Sequence, residues 1–145
     1  MKTSLQEIVN YSNEGVIKRY QNVYNVSEME ARLVFSDLMR FFWASEKHEF
    51  DKQSMINEEH DFVFIMDEVM RPIDEIWHIF LLYTKDYMDF CELYFGQYIH
   101  HLPDIVPNME QTSKDFERNL RRFLNYNYEL LGHQTIERWF GEKVS

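Results

Sequence analysis

The sequence predicts an all-α fold, a compact single domain over residues 1–145 with about five to seven helices. Glycine (4) and proline (3) are scarce, which disfavours a many-turned β-sandwich. Hydrophobic residues make up 45% of the chain and aromatic residues 17%, and several apolar runs repeat at helical spacing. A chain of this length can bury a core without disulfides or bound metal.

The first half of the chain gives uneven signals. Residues 4–24 predict one or two short amphipathic helices. Ser27 followed by Glu30 is a capping box, which predicts the start of the next helix. Residues 46–60 are polar and predict a loop or a poorly packed turn of helix. The apolar run 61–70 is compatible with a short strand or with a buried helical turn.

A helical hairpin is predicted at about residues 72–95, at the centre of the domain. Pro72 suits the first turn of a helix, because a proline there costs no hydrogen bond. Thr84 is predicted to cap a second helix, and Gly96 to end it in a left-handed turn.

The second half continues with helical signals. Thr112 or Ser113 is predicted to open a long helix that runs to about Leu131, where Gly132 is placed as a terminator. A short helix through Trp139 is predicted to follow.

Charge argues against nucleic acid as a partner, because the net charge is −10 and a phosphate backbone would be repelled. Arg118, Arg121 and Arg122 form a small basic cluster. Asp115 and Glu117 precede them at helical spacing, so the cluster is interpreted as a salt-bridged, solvated face.

The expected location is cytoplasmic. A single cysteine cannot form an internal disulfide and suits a reducing compartment. The first residues lack the apolar segment of a secretory signal, and no apolar run is long enough for a membrane span. Export by a route that reads no N-terminal signal stays open.

Four residues of types that bind zinc or form a catalytic Cys–His pair are concentrated in or just after the predicted hairpin: His78, Cys91, His100 and His101. His78 and Cys91 lie about equally far from the predicted turn at Thr84, so they could meet across two antiparallel helices. Asp74 lies four residues before His78, on the same helix face, and could orient its imidazole.

Structural explanations for the same residues stay open. Free cysteine often packs as a small hydrophobe, and Cys91 stands between Phe90 and Glu92, two residues before Leu93. Histidines among aromatic residues can simply hydrogen-bond a backbone carbonyl or a tyrosine hydroxyl. The closely spaced ligand pairs of common metal motifs are absent here, so spacing alone gives only a weak signal for a metal site.

A family resemblance covers the same stretch. Its signature reads Asp74, Trp77-His78, Leu82, Thr84, Tyr87, Cys91, Phe95-Gly96, Ile99-His100-His101 and Pro103. In these residues the chain resembles the N-terminal module of the glycine-rich domain proteins of plants and its small stand-alone bacterial relatives, with the likeness concentrated in residues 60–105.

The resemblance implies an all-helical fold and a focal site rather than a known reaction. The family pattern tends to run Trp-His-x-His and to carry an acid before the cysteine, whereas Phe80 and Phe90 occupy those positions here. His78, Cys91 and His100 or His101 are the candidates that the resemblance carries over.

Three functions are compatible with these observations. The first is a non-enzymatic interaction or regulatory module with a protein partner, which predicts an exposed aromatic groove and a packed His78–Cys91 region. The second is a zinc-binding domain that uses His78, Cys91 and His100 or His101, with hydrolytic chemistry conceivable if water completes the site. The third is a cysteine-dependent enzyme with Cys91 as nucleophile and His78 as base, for which the sequence offers no recognisable catalytic motif.

Overall fold

A computed structural model describes residues 1–54, 56–102 and 112–141 and confirms the all-α prediction. Within those ranges the chain forms seven α-helices, two short 3-10 turns and no strand. The helices are α1 Leu5–Val9, α2 Glu14–Tyr24, α3 Glu28–Ser54, α4 Arg71–Leu82, α5 Thr84–Phe95, α6 Ser113–Leu131 and α7 His133–Phe140, and the 3-10 turns are Glu58–His60 and Glu68–Met70. No helix of the described ranges is long and apolar enough to cross a membrane.

Helix α3 is the central element and packs against α1, α2, α4 and α6. The backbone N–H of Glu30 donates to Ser27 Oγ at 3.1 Å, as the predicted cap requires. Of the two alternatives predicted for residues 46–60, the loop is wrong as far as Ser54 and the helical one holds there, because α3 continues to that residue. The polar sequence there still buries one face, since His48 is almost fully buried and its ring stacks on Phe62 at 3.9 Å.

The apolar run after residue 60 is neither a regular strand nor an α-helix. Its first part has no regular secondary structure and its last part is the second 3-10 turn. The N–H of Val63 donates to Asn119 Oδ1 at 2.7 Å, and Asn119 Nδ2 donates back to the Val63 carbonyl at 3.0 Å. A side-chain amide of α6 thus supplies the pairing that a neighbouring strand would otherwise give.

Helices α4 and α5 form the predicted hairpin. Pro72 lies in the first turn of α4, and Gly96 ends α5 with φ 68°, the left-handed conformation that glycine favours. The cap assigned to Thr84 is wrong. Thr84 is the first residue of α5, and Tyr83 occupies the cap position without a capping side-chain hydrogen bond. Tyr83 instead donates its hydroxyl to the Gly15 carbonyl of α2 at 3.1 Å, which ties the hairpin turn to that helix.

Helix α6 begins and ends as predicted. Thr112 and Asp115 form a complete capping box, and the helix ends at Leu131 with Gly132 in the cap position. The arginine cluster is paired with acids as expected, although two of the three acids come from the first 3-10 turn: Glu59 lies 3.4 Å from Arg121, and Glu58 lies 3.4 Å from Arg122. The predicted solvated face is wrong for Arg122, which is buried. Arg118 pairs with Asp115 at 2.9 Å.

The helices enclose a contiguous core made largely of aromatic rings. Phe80 of α4 and Phe90 of α5 lie 5.3 Å apart between ring centroids, and Phe35 of α3 lies 5.7 Å from Phe80. Contacts at these separations are favourable for aromatic pairs in tilted geometries. The hairpin is therefore fixed on the body of the domain through its buried face, and its other face is left to solvent.

Candidate functional site

Asp74, His78 and His101 form a cluster of metal-ligating side chains on the solvent face of the hairpin. One nitrogen or oxygen atom from each residue lies within 4.8 Å of the other two. Asp74 and His78 come from α4, where a spacing of four residues puts them on one face. His101 comes from the segment without regular secondary structure that follows α5. The cluster therefore needs two separate parts of the chain.

His101 is the best-fixed member of the cluster. Its Nε2 lies 2.7 Å from Asp74 Oδ1, and only 14% of its side chain is exposed. Its ring stacks on the indole of Trp77 with centroids 3.9 Å apart and an interplanar angle of 6°.

His78 is held more loosely, with 61% of its side chain exposed. Its Nδ1 lies 2.7 Å from the backbone carbonyl oxygen of Asp74 and 3.6 Å from Asp74 Oδ2. A carbonyl oxygen can only accept a hydrogen bond, so Nδ1 carries a proton in this arrangement and a neutral ring keeps the lone pair on Nε2. The His78 and His101 rings meet edge to face at 4.6 Å.

A buried hydrogen-bond chain supports the segment that carries His101. Trp77 Nε1 donates to the Tyr87 hydroxyl at 3.1 Å, and that hydroxyl donates to the Ile99 carbonyl at 2.5 Å. All three residues are buried. The chain therefore fixes both the indole on which His101 stacks and the backbone two residues before His101.

Cys91 and His100 lie outside this cluster of described residues. Cys91 is 1% exposed and packs in the core. Burial raises the pKa of its thiol, although hydrogen bonds from the Ile99 backbone and the Tyr87 side chain act in the opposite direction. His100 is exposed, with its ring 4.8 Å from that of Tyr98. The sequence thus identified two of the three clustered residues as ligands, and it assigned Asp74 only an orienting role.

His78 and Cys91 do not meet across the hairpin, because the two side chains belong to opposite faces of it. His78 points to solvent from α4, whereas Cys91 points into the core from α5. A buried thiol with a raised pKa is a poor nucleophile, since the thiolate is the reactive form. The arrangement gives no support to a Cys–His catalytic pair.

The geometry of the cluster fits a tetrahedral metal ion with small adjustments. With metal–ligand bonds of about 2.0–2.2 Å, two ligand atoms of a tetrahedral site lie roughly 3.4 Å apart. The observed 2.7 Å from His101 Nε2 to Asp74 Oδ1 is a hydrogen-bond distance that a bound ion would widen. His78 would bind through Nε2, because its Nδ1 donates to the Asp74 carbonyl. The side chain of His78 is mostly exposed, so it can adjust to present Nε2 without disturbing the core.

A shallow depression of about 320 Å³ opens beside the cluster, and Asp74 belongs to its lining together with Arg71 and Glu68. Arg71 Nη2 lies 3.1 Å from Glu68 Oε1 in an exposed ion pair. A small molecule that contacts Asp74 from this side would meet both signs of charge.

Of the remaining residues that the resemblance singled out, Trp77, Tyr87 and Gly96 shape the hairpin and the support of His101. Thr84 begins α5, and Pro103 lies outside the described residues. None of Trp77, Tyr87, Gly96 and Thr84 belongs to the cluster, so among the described residues these positions shape the hairpin rather than supply ligands.

Comparison with known proteins returned no match among curated proteins and none among solved structures. A family model described as UCP032817-like matches residues 5–130. That description names neither a reaction nor a ligand, and it does not test the resemblance to the glycine-rich domain proteins, which stays a prediction. Because the match spans most of the 145 residues, the chain belongs to the UCP032817-like family, an uncharacterised family of which this protein shows the all-helical fold.

Proposed function

We propose that this protein binds a divalent transition-metal ion, with zinc as the first candidate, through Asp74, His78 and His101. The observation that carries the proposal is the convergence of one carboxylate and two imidazoles within 4.8 Å from two separate parts of the chain. Imidazole and carboxylate together suit zinc and its neighbours in the first transition series.

The surroundings of the cluster support metal binding over a purely structural role. The stack on Trp77 and the hydrogen-bond chain through Tyr87 hold His101 in place before any ion arrives, which reduces the entropy lost on binding. The carbonyl of Asp74 fixes the tautomer of His78, as the outer partners of metal-bound histidines usually do.

Three protein ligands leave a fourth position of a tetrahedral ion for water. Sites of that composition are found in zinc enzymes, where the ion lowers the pKa of the bound water. The shallow depression beside Asp74 would give a small substrate access to such a water. Hydrolytic chemistry is therefore the activity class to assay once metal binding is established.

The test is elemental analysis of tagless protein, prepared without chelator, combined with zinc titration by calorimetry. We expect about one zinc per chain, lost or weakened more than about tenfold in His101→Ala and Asp74→Asn, because each variant removes one of three ligands. His100→Ala is the matched control, since it removes a neighbouring exposed histidine that does not belong to the cluster.

Cobalt(II) substitution distinguishes a site made of Asp74, His78 and His101 from a site that includes the Cys91 thiolate. A cobalt site made of nitrogen and oxygen ligands absorbs in the visible range without the intense near-ultraviolet band of a cobalt–thiolate bond. That band, lost in Cys91→Ala, would show that Cys91 is a ligand after all. Zinc binding that His100→Ala weakens as much as His101→Ala, or no saturable binding, would contradict the proposal.

A further inference from the structure

A second surface, which shares no residue with the metal cluster, lies where the end of α3, the end of α5 and the first residues of the chain come together. These elements line a groove of about 540 Å³, a volume within the range of natural ligand pockets. Its apolar lining includes Phe50, Leu93 and Phe95. Phe50 and Leu93 are large side chains left exposed, Leu93 to 73%.

The groove is also acidic. Glu46, Glu49 and Glu92 line it, and Lys2 is the one basic side chain among the lining residues. In the described part of the chain none of the three carboxylates takes part in an ion pair, although several other acids of the protein do. The surface therefore combines apolar side chains with an excess of negative charge.

The carboxylate of Glu46 lies in an environment that disfavours its negative charge. The carboxylate accepts a hydrogen bond from Gln97 Nε2 at 3.1 Å and is half-buried. Burial raises the pKa of Glu46, and the charge of Glu49 acts in the same direction. A cationic group placed here would relieve both effects, because an opposite charge favours the ionised carboxylate.

We propose that this groove docks a short basic segment of a partner protein, with an apolar side chain on Leu93 and Phe50 and lysine or arginine against Glu46, Glu49 and Glu92. Charge selects this occupant. A second copy of the chain would bring the same acids and a net charge of −10 against the groove, and an anionic lipid surface or nucleic acid would be repelled for the same reason.

The proposal is independent of the metal site, since the two surfaces share no residue. It gives a specific form to the interaction module predicted from the aromatic-rich sequence. Exposed aliphatic and aromatic side chains surrounded by charge are the composition expected of an interface that forms and dissociates.

The probe is a short fluorescently labelled peptide of alternating lysine and leucine, and binding is followed by fluorescence anisotropy at low and high salt. We expect saturable binding that weakens with salt. In the triple variant Glu46→Gln/Glu49→Gln/Leu93→Ser, affinity should fall about tenfold or more, because two charge contacts and one apolar anchor are lost together. A lysine–glycine peptide should bind more weakly than the lysine–leucine peptide.

The matched control variant is Glu117→Gln/Glu129→Gln, which removes the same two charges from exposed positions of α6 that do not line the groove. Its affinity for the peptide should stay within about twofold of the unmodified protein. Equal weakening in both variants would mean that net charge alone attracts the peptide, and the docking site would be refuted. A dimer seen by light scattering that only the triple variant abolishes would also overturn the proposal, in favour of self-association.

Discussion

The Tyr87 hydroxyl joins the core of the hairpin to the segment that carries His101, and its removal tests that connection. Tyr87→Phe deletes one oxygen atom and leaves the ring in place. Trp77 Nε1 then has no acceptor and the Ile99 carbonyl has no donor from Tyr87, and both residues are buried. An unsatisfied buried polar group costs about 1–3 kcal/mol. Two such groups predict a loss of about 2–4 kcal/mol in the free energy of unfolding. The upper end of the simple sum is not expected, because the groups can partly relax toward water at the edge of the hairpin.

Urea denaturation followed by far-ultraviolet circular dichroism measures this loss. The control is Tyr20→Phe, because Tyr20 is equally buried but its hydroxyl has no hydrogen-bond partner among the described residues. We expect the control to cost less than about 0.5 kcal/mol, as substitutions that remove no interaction usually do. If Tyr87→Phe and Tyr20→Phe destabilise the protein equally, the hydroxyl does not serve two buried partners and the reasoning fails.

Hydrogen exchange locates the effect. In Tyr87→Phe the amides of residues 97–101 should lose protection before those of α6, because the change releases the Ile99 backbone and not the distant helices. Zinc affinity should fall as well, even though no proposed ligand is altered. Equal loss of protection throughout the chain would indicate a global destabilisation without a specific link to His101.

Two further predictions concern the buried ionisable side chains His48 and Asp37. Burial lowers the pKa of His48, and only a backbone hydrogen bond to His60 and the charge of Glu49 oppose this. As the pH falls through the ordinary imidazole pKa of about 6.5, His48 therefore takes up a proton in the unfolded state before it does so in the folded state. Between roughly pH 7.5 and 5.5, the free energy of unfolding of the unmodified protein should fall by up to about 1.4 kcal/mol more than that of His48→Phe. Parallel curves of unfolding free energy for the two proteins would contradict this. Asp37 lies 2.7 Å from Arg138 and is buried, so Asp37→Asn should cost about 2–4 kcal/mol. The control is Asp89→Asn, which removes one partner of an exposed ion pair and should cost less than about 1 kcal/mol. Similar shifts of the melting temperature in Asp37→Asn and Asp89→Asn would refute a stabilising role for the buried pair.

Local signals account for the parts of the fold that the sequence predicted well. Thr112 begins α6 through a capping box with Asp115, and Gly96 and Gly132 end α5 and α6 with positive φ. Each of these depends on a few neighbouring residues, so the information lies within a short window of sequence. The loop alternative for the residues after 46 failed because the deciding contact is not local in sequence. These polar residues form a helix because His48 finds an aromatic partner, Phe62, in another part of the chain.

The candidate site also combines features that the sequence determines with features that only the tertiary structure decides. The sequence alone determined that the hairpin is helical, that it carries an unusual concentration of histidines beside one cysteine, and that Asp74 shares a helix face with His78. The tertiary structure decided which of these residues meet. The rotation of α4 and α5 against the aromatic core points Cys91 inward and His78 outward. The stack on Trp77 selects His101 over His100. Those choices depend on packing between segments far apart in sequence, and no local pattern of residues encodes them.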